Sequence, residues 1–145
     1  MAYAHLSVRI ARPLADVFAV LTDPEETPKW SAPAVEERWI TQGPPTIGSR
    51  RLAVTQLMGR RSQNIAEVTA YEPNRMWEMK SVSGPPFVVR AEFAGADGGT
   101  RVDWTWTLLP QGLAKPLGPL VAWFFGRLFA KDLVRLKRMM ETGEL

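Results

Sequence analysis

The sequence contains no cysteine and a single histidine, His5. Without cysteine, disulfide bonds, thiol nucleophiles and thiolate metal sites are excluded. One histidine also excludes most zinc-site patterns and the usual pairing of a serine or cysteine nucleophile with a histidine base. His5 falls on the polar side of an alternating segment, which predicts a surface histidine. We therefore expect neither a metal site nor a cofactor.

The net charge and the length of the apolar runs exclude two classes of protein for these 145 residues. A formal net charge of +3 is too small for a dedicated nucleic-acid binder, so we expect no nucleic-acid partner. The most apolar run, residues 117–126, ends at Arg127 and is shorter than the about 20 residues of a membrane-spanning helix. No signal peptide is visible, so we expect a cytoplasmic protein. The length fits one domain, residues 1–145.

Periodicity predicts the order strand, two short helices, six strands and one long helix. The first strand spans 5–10, a helix follows Pro13, and a short second helix covers 24–30. The later strands are expected at about 35–40, 50–58, 63–71, 75–83, 87–93 and 100–108, before a helix at 119–141. Short turns between these strands imply an antiparallel meander, and its apolar face needs a cover, which the last helix can supply.

Six segments spread over the chain form a pattern in their order and spacing. They are SVRIARPLADVFAVLTDPE (7–25), the tryptophan of PKW (28–30), GS (48–49), AEVTAYEPNRMWEM (66–79), GGTRVDWTW (98–106) and LVRLKRMME (133–141). Together they resemble the START-like, or SRPBCC, superfamily and its polyketide cyclase/dehydrase-like branch. The resemblance implies an α+β helix-grip fold, in which a curved seven-stranded antiparallel sheet wraps around a long C-terminal helix. It also implies a deep apolar cavity between sheet and helix.

Trp104 and Trp106 stand two positions apart, so both rings leave the same face of a strand. With the implied architecture, that face and its counterparts become the wall of the cavity. The predicted ligand-binding residues are Trp30, Leu52, Val54, Gln56, Met58, Asn64, Trp77, Met79, Val89, Phe93, Trp104, Trp106, Leu120, Phe124 and Leu128. The alternative is that these side chains pack on one another and leave no space. For the strand at 63–71, the face with Asn64 and Ala66 is favoured over the face with Glu67 and Tyr71.

Most acids and bases of the last strands share the face opposite the tryptophans, so the interior is expected to be nearly free of them. We therefore favour a module that binds a small hydrophobic ligand of lipid, polyketide or aromatic type. One alternative is a metal-free cyclase/dehydrase-type enzyme with Glu67 or Tyr71 as acid–base groups and Asn64 or Gln56 orienting a carbonyl. Another is a membrane-surface or protein-interaction module that uses the apolar helix 117–129, although membrane contact is not favoured. Monomer and homodimer both remain open.

Overall fold

A curled seven-stranded antiparallel sheet and a long C-terminal helix dominate the computed structural model, which describes residues 2–108 and 118–145. The strands are β1 (Ala2–Ile10), β2 (Ala34–Trp39), β3 (Arg50–Leu57), β4 (Arg60–Glu72), β5 (Met76–Ser83), β6 (Phe87–Ala96) and β7 (Gly99–Leu108). The helices are α1 (Leu14–Thr22), α2 (Thr27–Trp30) and α3 (Gly118–Glu141). This confirms the predicted α+β helix-grip fold, although residue 117 of the proposed apolar helix lies outside the described residues.

The strand order is β1-β7-β6-β5-β4-β3-β2. Strands β2 to β7 form a meander of neighbouring antiparallel pairs, as the short predicted turns require. Strand β1 closes the sheet beside β7, at the edge opposite β2. The two short helices α1 and α2 therefore connect strands at opposite edges of the sheet, and α2 lies close to both β2 and α3.

Two tight hairpin turns set the register of four strands. Asp97 and Gly98 turn between β6 and β7 with φ values of 43° and 80°, and Met58 and Gly59 turn between β3 and β4 with 51° and 76°. Consecutive positive φ values match the right-handed twist of a two-residue hairpin. The turn expected at 96–99 is confirmed. The turn expected at 59–62 begins earlier, so Met58 lies at a hairpin tip and is 88% exposed.

The concave side of the sheet is filled at one end and hollow at the other. At the filled end, the ring of Phe18 on α1 meets the rings of Tyr71 and Phe93 edge-on, with centroids 5.7 and 5.0 Å away. Leu136 and Met140 of α3 are fully buried in this same core. The hollow end lies under the first half of α3. None of the helices among residues 2–108 and 118–145 is long and apolar enough to cross a membrane.

Candidate functional site

A cavity of about 270 Å³ lies between the sheet, α2 and α3. Its wall is mainly apolar and aromatic. The lining residues are Leu21, Thr27, Trp30, Ser31, Pro33, Ala34, Glu37, Arg51, Ala53, Thr55, Leu57, Ser62, Asn64, Ala66, Trp77, Met79, Pro85, Phe87, Val89, Trp104, Trp106, Leu108, Phe125, Phe129 and Asp132. Four of the chain's six tryptophans belong to this wall.

An aromatic cluster forms the side of the cavity between β7 and α3. The ring of Trp106 lies 4.8 Å from that of Phe125 and 5.3 Å from that of Phe129, measured between centroids. Trp104 approaches Phe129 at 6.0 Å and Trp77 at 6.4 Å. These spacings are those of favourable tilted and edge-to-face ring contacts. The strand period thus placed both tryptophans of β7 on the concave face, where they hold α3 against the sheet and also line the cavity.

A buried ion pair lies on the opposite side of the cavity, where β2 and β3 meet. Arg51 Nη2 is 3.3 Å from Glu37 Oε1, and both side chains are almost fully buried. The guanidinium carbon of Arg51 also lies 4.9 Å from the ring centroid of Trp77 and 6.0 Å from that of Trp39, within cation–π range. Burial raises the pKa of the Glu37 carboxyl, and the charge of Arg51 opposes that rise.

A second buried acid, Asp132, connects α3 to the end of α2. Its carboxylate accepts hydrogen bonds from the Ser31 hydroxyl and the Ala32 backbone N–H, both at 3.0 Å. Arg135 donates to the Trp30 carbonyl at 3.1 Å and to Asp132 at 3.4 Å. Burial raises the pKa of Asp132 above its ordinary value. The hydrogen bonds from Ala32 and Ser31 and the charge of Arg135 oppose this rise but do not cancel it. These contacts fix Trp30 at the cavity wall.

Several buried side-chain donors lack a hydrogen-bond acceptor among the described residues. They are Trp30 Nε1, Arg51 Nη1, Trp77 Nε1 and Trp104 Nε1. All four residues line the cavity. The wall is therefore mostly apolar, and its buried polar side-chain atoms without a partner among the described residues are all N–H donors.

The structure brings seven of the fifteen predicted ligand-binding residues to the cavity wall: Trp30, Asn64, Trp77, Met79, Val89, Trp104 and Trp106. Asn64 lies there together with Ala66, on the face of β4 that carries the small side chains. The predicted residues outside the lining are Leu52, Val54, Gln56, Met58, Phe93, Leu120, Phe124 and Leu128. Phe93 belongs to the filled end of the core, packed against Phe18.

The inward face predicted for β3 is wrong. Leu52, Val54, Gln56 and Met58 form the more apolar set, yet the cavity is lined by Arg51, Ala53, Thr55 and Leu57. Cross-strand register explains the result, because Arg51 pairs with Ala66 and Ala53 pairs with Asn64. Directly paired residues share a face of an antiparallel sheet. Arg51 can occupy the interior because Glu37 neutralises it there.

The rotation predicted for α3 is wrong by about one residue. Leu120 is 62% exposed, Phe124 and Leu128 lie outside the lining, and Phe125 and Phe129 face the cavity instead. The first half of α3 has apolar side chains on nearly every side, so its own sequence does not select a face. The second half does, because Asp132, Leu133, Leu136 and Met140 are buried. Extending that stripe backwards by helical spacing leads to Phe129 and Phe125.

Glu67 and Tyr71, the predicted catalytic candidates, do not line the cavity. Glu67 accepts a bond from Arg50 at 2.9 Å on the outer side of the sheet. Irregular pairing between Val68 and Ala70 changes the alternation of β4, and Tyr71 packs against Phe18 in the filled end. The predicted surface position of His5 agrees with its exposed side chain.

The expectation of an interior nearly free of acids and bases is also wrong, since Glu37, Arg51 and Asp132 line the cavity. The outer ladder is present, with Arg90 bonded to Glu78 at 3.0 Å and Glu92 at 3.1 Å. One signal for a buried charge was visible in the sequence, because Asp132 interrupts an apolar helical stripe. Glu37 and Arg51 had no such signal, since only the pairing of β2 with β3 brings them together.

Comparison with known proteins agrees with this architecture. Residues 1–141 match the model of the family described as polyketide cyclase / dehydrase and lipid transport. The chain belongs to this family. This description corresponds to the polyketide cyclase/dehydrase-like branch that the sequence resembles, so the predicted relationship is confirmed. No curated protein gives a significant match.

Solved structures show the same fold at low sequence identity. TTHA0849 from Thermus thermophilus superposes with a TM-score of 0.81, at 17% identity over 99% of both chains. The polyketide-cyclase-like protein Cgl2372 from Corynebacterium glutamicum gives 0.65 at 22% identity, over 97% of this chain and 92% of the other. The Aha1 dimer from Colwellia psychrerythraea gives 0.69 at 16% identity over both full chains. At such identities, the similarity establishes the fold alone.

Proposed function

We propose that this chain is a single START-like domain that binds a small hydrophobic molecule in the cavity between its sheet, α2 and α3. The observation that supports this most strongly is the cavity itself, about 270 Å³ with a mainly apolar and aromatic wall. Side chains that simply packed on one another would leave few voids larger than a water molecule. Concave apolar sites with a few polar groups are typical of small-molecule binding.

The size and wall of the cavity favour a compact ring compound over a long acyl chain. An engineered apolar cavity of about 150 Å³ already binds benzene, and drug-sized ligands occupy about 300–1,000 Å³. The present cavity falls between these sizes. The rings of Trp77, Trp104, Trp106 and Phe129 offer flat surfaces on which another ring can stack. A bicyclic aromatic or polyketide-type molecule fits this description.

Native mass spectrometry of freshly purified protein, followed by organic extraction, tests the proposal. We expect a co-purifying hydrophobic molecule, or, after its removal, saturable binding of naphthalene-type compounds. Trp104→Arg, which introduces a charge into the wall, should abolish binding. Trp123→Arg is the matched control, because Trp123 is 59% exposed on α3 and does not line the cavity.

Circular dichroism should establish that each variant is folded before binding is compared. If Trp104→Arg does not fold, Ala53→Phe offers a second variant that fills the cavity from β3 without adding charge. Equal binding by wild type and a folded, cavity-filled variant would contradict the proposal. So would the absence of both a co-purifying molecule and any saturable binding.

A second candidate function is a metal-free cyclase or dehydrase activity in the same cavity. The observation that favours it is Glu37, a buried carboxyl with a raised pKa at an apolar wall, which is typical of general acid–base groups. It replaces Glu67 and Tyr71 as the acid–base candidate. Incubating an extracted ligand with fresh protein tests this function. Conversion of the ligand by wild type but not by Glu37→Gln, with binding retained in the variant, would support an enzyme. If the ligand is unchanged, ligand binding is the only function that stands.

A further inference from the structure

Four buried N–H donors of cavity-lining residues lack a hydrogen-bond partner among the described residues. Among the described residues, the buried side-chain polar atoms without a hydrogen-bond partner are Trp30 Nε1, Arg51 Nη1, Trp77 Nε1 and Trp104 Nε1. Each is a donor, and none is an acceptor. All four side chains belong to residues of the cavity wall. Buried donors without acceptors are uncommon in folded proteins and destabilise them, so the set requires a physical explanation.

Arg51 is the strongest of these donors and is held in a fixed position. Glu37 contacts its Nη2 group at 3.3 Å, and the rings of Trp39 and Trp77 lie against the guanidinium. A guanidinium has five N–H groups in a rigid plane, and this ion pair leaves the Nη1 side without an acceptor. An incoming acceptor would therefore meet a donor that is already oriented and has little side-chain freedom to lose.

We propose that the ligand carries a neutral acceptor oxygen, such as a ketone, quinone or ester carbonyl, which Arg51 Nη1 and a neighbouring indole N–H receive. This inference rests on the proposed binding function and names the chemical class of the ligand. These N–H groups are buried and have almost no accessible surface. A ligand oxygen can therefore reach them only if the atoms around them move as the ligand enters.

The ion pair explains why a neutral oxygen suits the site better than a carboxylate. Glu37 already balances the charge of Arg51, and both groups are buried. A ligand carboxylate would bring a second negative charge into a site that holds one positive charge, and buried unbalanced charge is strongly unfavourable. A carbonyl accepts hydrogen bonds without adding charge.

Isothermal titration calorimetry with three matched probes tests the inference. 2-Acetonaphthone carries the ketone, 2-isopropenylnaphthalene has nearly the same shape without the oxygen, and 2-naphthoate carries a carboxylate. We expect wild type to bind the ketone about tenfold more tightly than the hydrocarbon, as one hydrogen bond to a charged donor allows. The naphthoate should bind more weakly than the ketone at neutral pH.

The double variant Glu37→Leu with Arg51→Met removes the anchor without leaving an unpaired buried charge. Apolar replacement of a buried ion pair is often neutral for stability, so this variant should fold. It should bind ketone and hydrocarbon equally well. Arg50→Met is the matched control, because the adjacent Arg50 pairs with Glu67 outside the cavity, and it should keep the preference for the ketone.

The outcomes separate this inference from the proposed function. If wild type binds the hydrocarbon and the ketone equally, or if the folded double variant keeps the preference, the acceptor site is refuted and the binding cavity stands. Tighter binding of naphthoate than of ketone would refute the neutral oxygen. If none of the probes binds, the acceptor site is refuted, and the proposed binding function is refuted with it only when no hydrophobic molecule co-purifies with the protein. If the double variant does not fold, Trp77→Phe and Trp104→Phe are used instead. Each removes one indole donor and keeps the ion pair. An unchanged preference for the ketone in both variants would count against a role for the indole N–H groups.

Discussion

Arg50 and Arg51 are neighbours on β3, and their side chains leave opposite faces of the sheet. Arg50 pairs with Glu67 at 2.9 Å, where the side chains are 51% and 33% exposed. Arg51 pairs with Glu37 at 3.3 Å, where they are 11% and 8% exposed. Loss of the longer contact, between Arg51 and Glu37, should reduce stability more. Water replaces the partner of an exposed charge but cannot reach a buried one. The surroundings of an ion pair therefore decide its importance more than its length.

The largest effect is expected for Arg51→Met. Removing the arginine leaves the Glu37 carboxylate buried without its partner, which typically costs about 3–5 kcal/mol of stability. Urea denaturation of wild type and variant measures the loss. The double variant Glu37→Leu with Arg51→Met is the control and should recover most of it. A loss in the single variant no larger than that of a surface substitution would refute the difference between the two arginines.

A smaller effect is expected for Asp132→Ala. The substitution leaves the Ser31 hydroxyl and the Ala32 N–H without their acceptor, and an unsatisfied buried group costs about 1–3 kcal/mol. Hydrogen exchange of the Ala32 amide should accelerate together with the loss of stability. Lys131→Ala, at an exposed neighbouring position, is the control and should change neither quantity. Unchanged exchange at Ala32 would show that Asp132 does not hold α2 to α3.

The buried pair should also appear in the pH dependence of stability. Burial raises the pKa of Glu37 above its ordinary value of 4.5, so folding favours the protonated carboxyl. The resulting contribution to the free energy of unfolding is fully present below the ordinary pKa and is lost as the pH rises through the raised pKa. The free energy of unfolding of Glu37→Gln, minus that of wild type, should therefore increase as the pH rises above 4.5. A difference that is constant or falls with pH would contradict a raised pKa.

The smallest effect is expected for Arg50→Met. An exposed ion pair contributes about 0–1 kcal/mol, and salt screens most of it. Urea denaturation at low and high salt should show a difference from wild type that is small at low salt and smaller at high salt. A loss comparable to that of Arg51→Met would remove the contrast between the two faces of β3.

The fold was predictable because each strand carries its own alternation and each turn its own signal. β7 is the clearest case, since Val102, Trp104 and Trp106 alternate with Arg101, Asp103 and Thr105, and the structure buries the first set. The antiparallel order follows from short turns, and the long helix follows from its period. These features depend on residues close together in the chain.

The site was only partly predictable because it depends on partners far apart in the chain. On β3, local hydrophobicity favours the face of Leu52, while the actual face is set by Glu37 on a neighbouring strand and by Asn64 and Ala66 across the hairpin. On α3, apolar residues surround the first half, and only contact with Trp104 and Trp106 selects Phe125 and Phe129. Single-strand and single-helix patterns do not contain this information.

The most direct test of the cavity as a ligand site is to follow the indole N–H signals by ¹H–¹⁵N NMR during titration with 2-acetonaphthone. The chain has six tryptophans, of which Trp30, Trp77, Trp104 and Trp106 line the cavity, whereas Trp123 is exposed on α3. We predict that the four cavity signals shift and saturate together while the Trp123 signal stays in place. A shift confined to Trp123, or none at all, would contradict a binding cavity, and the former would favour α3 as an interaction surface.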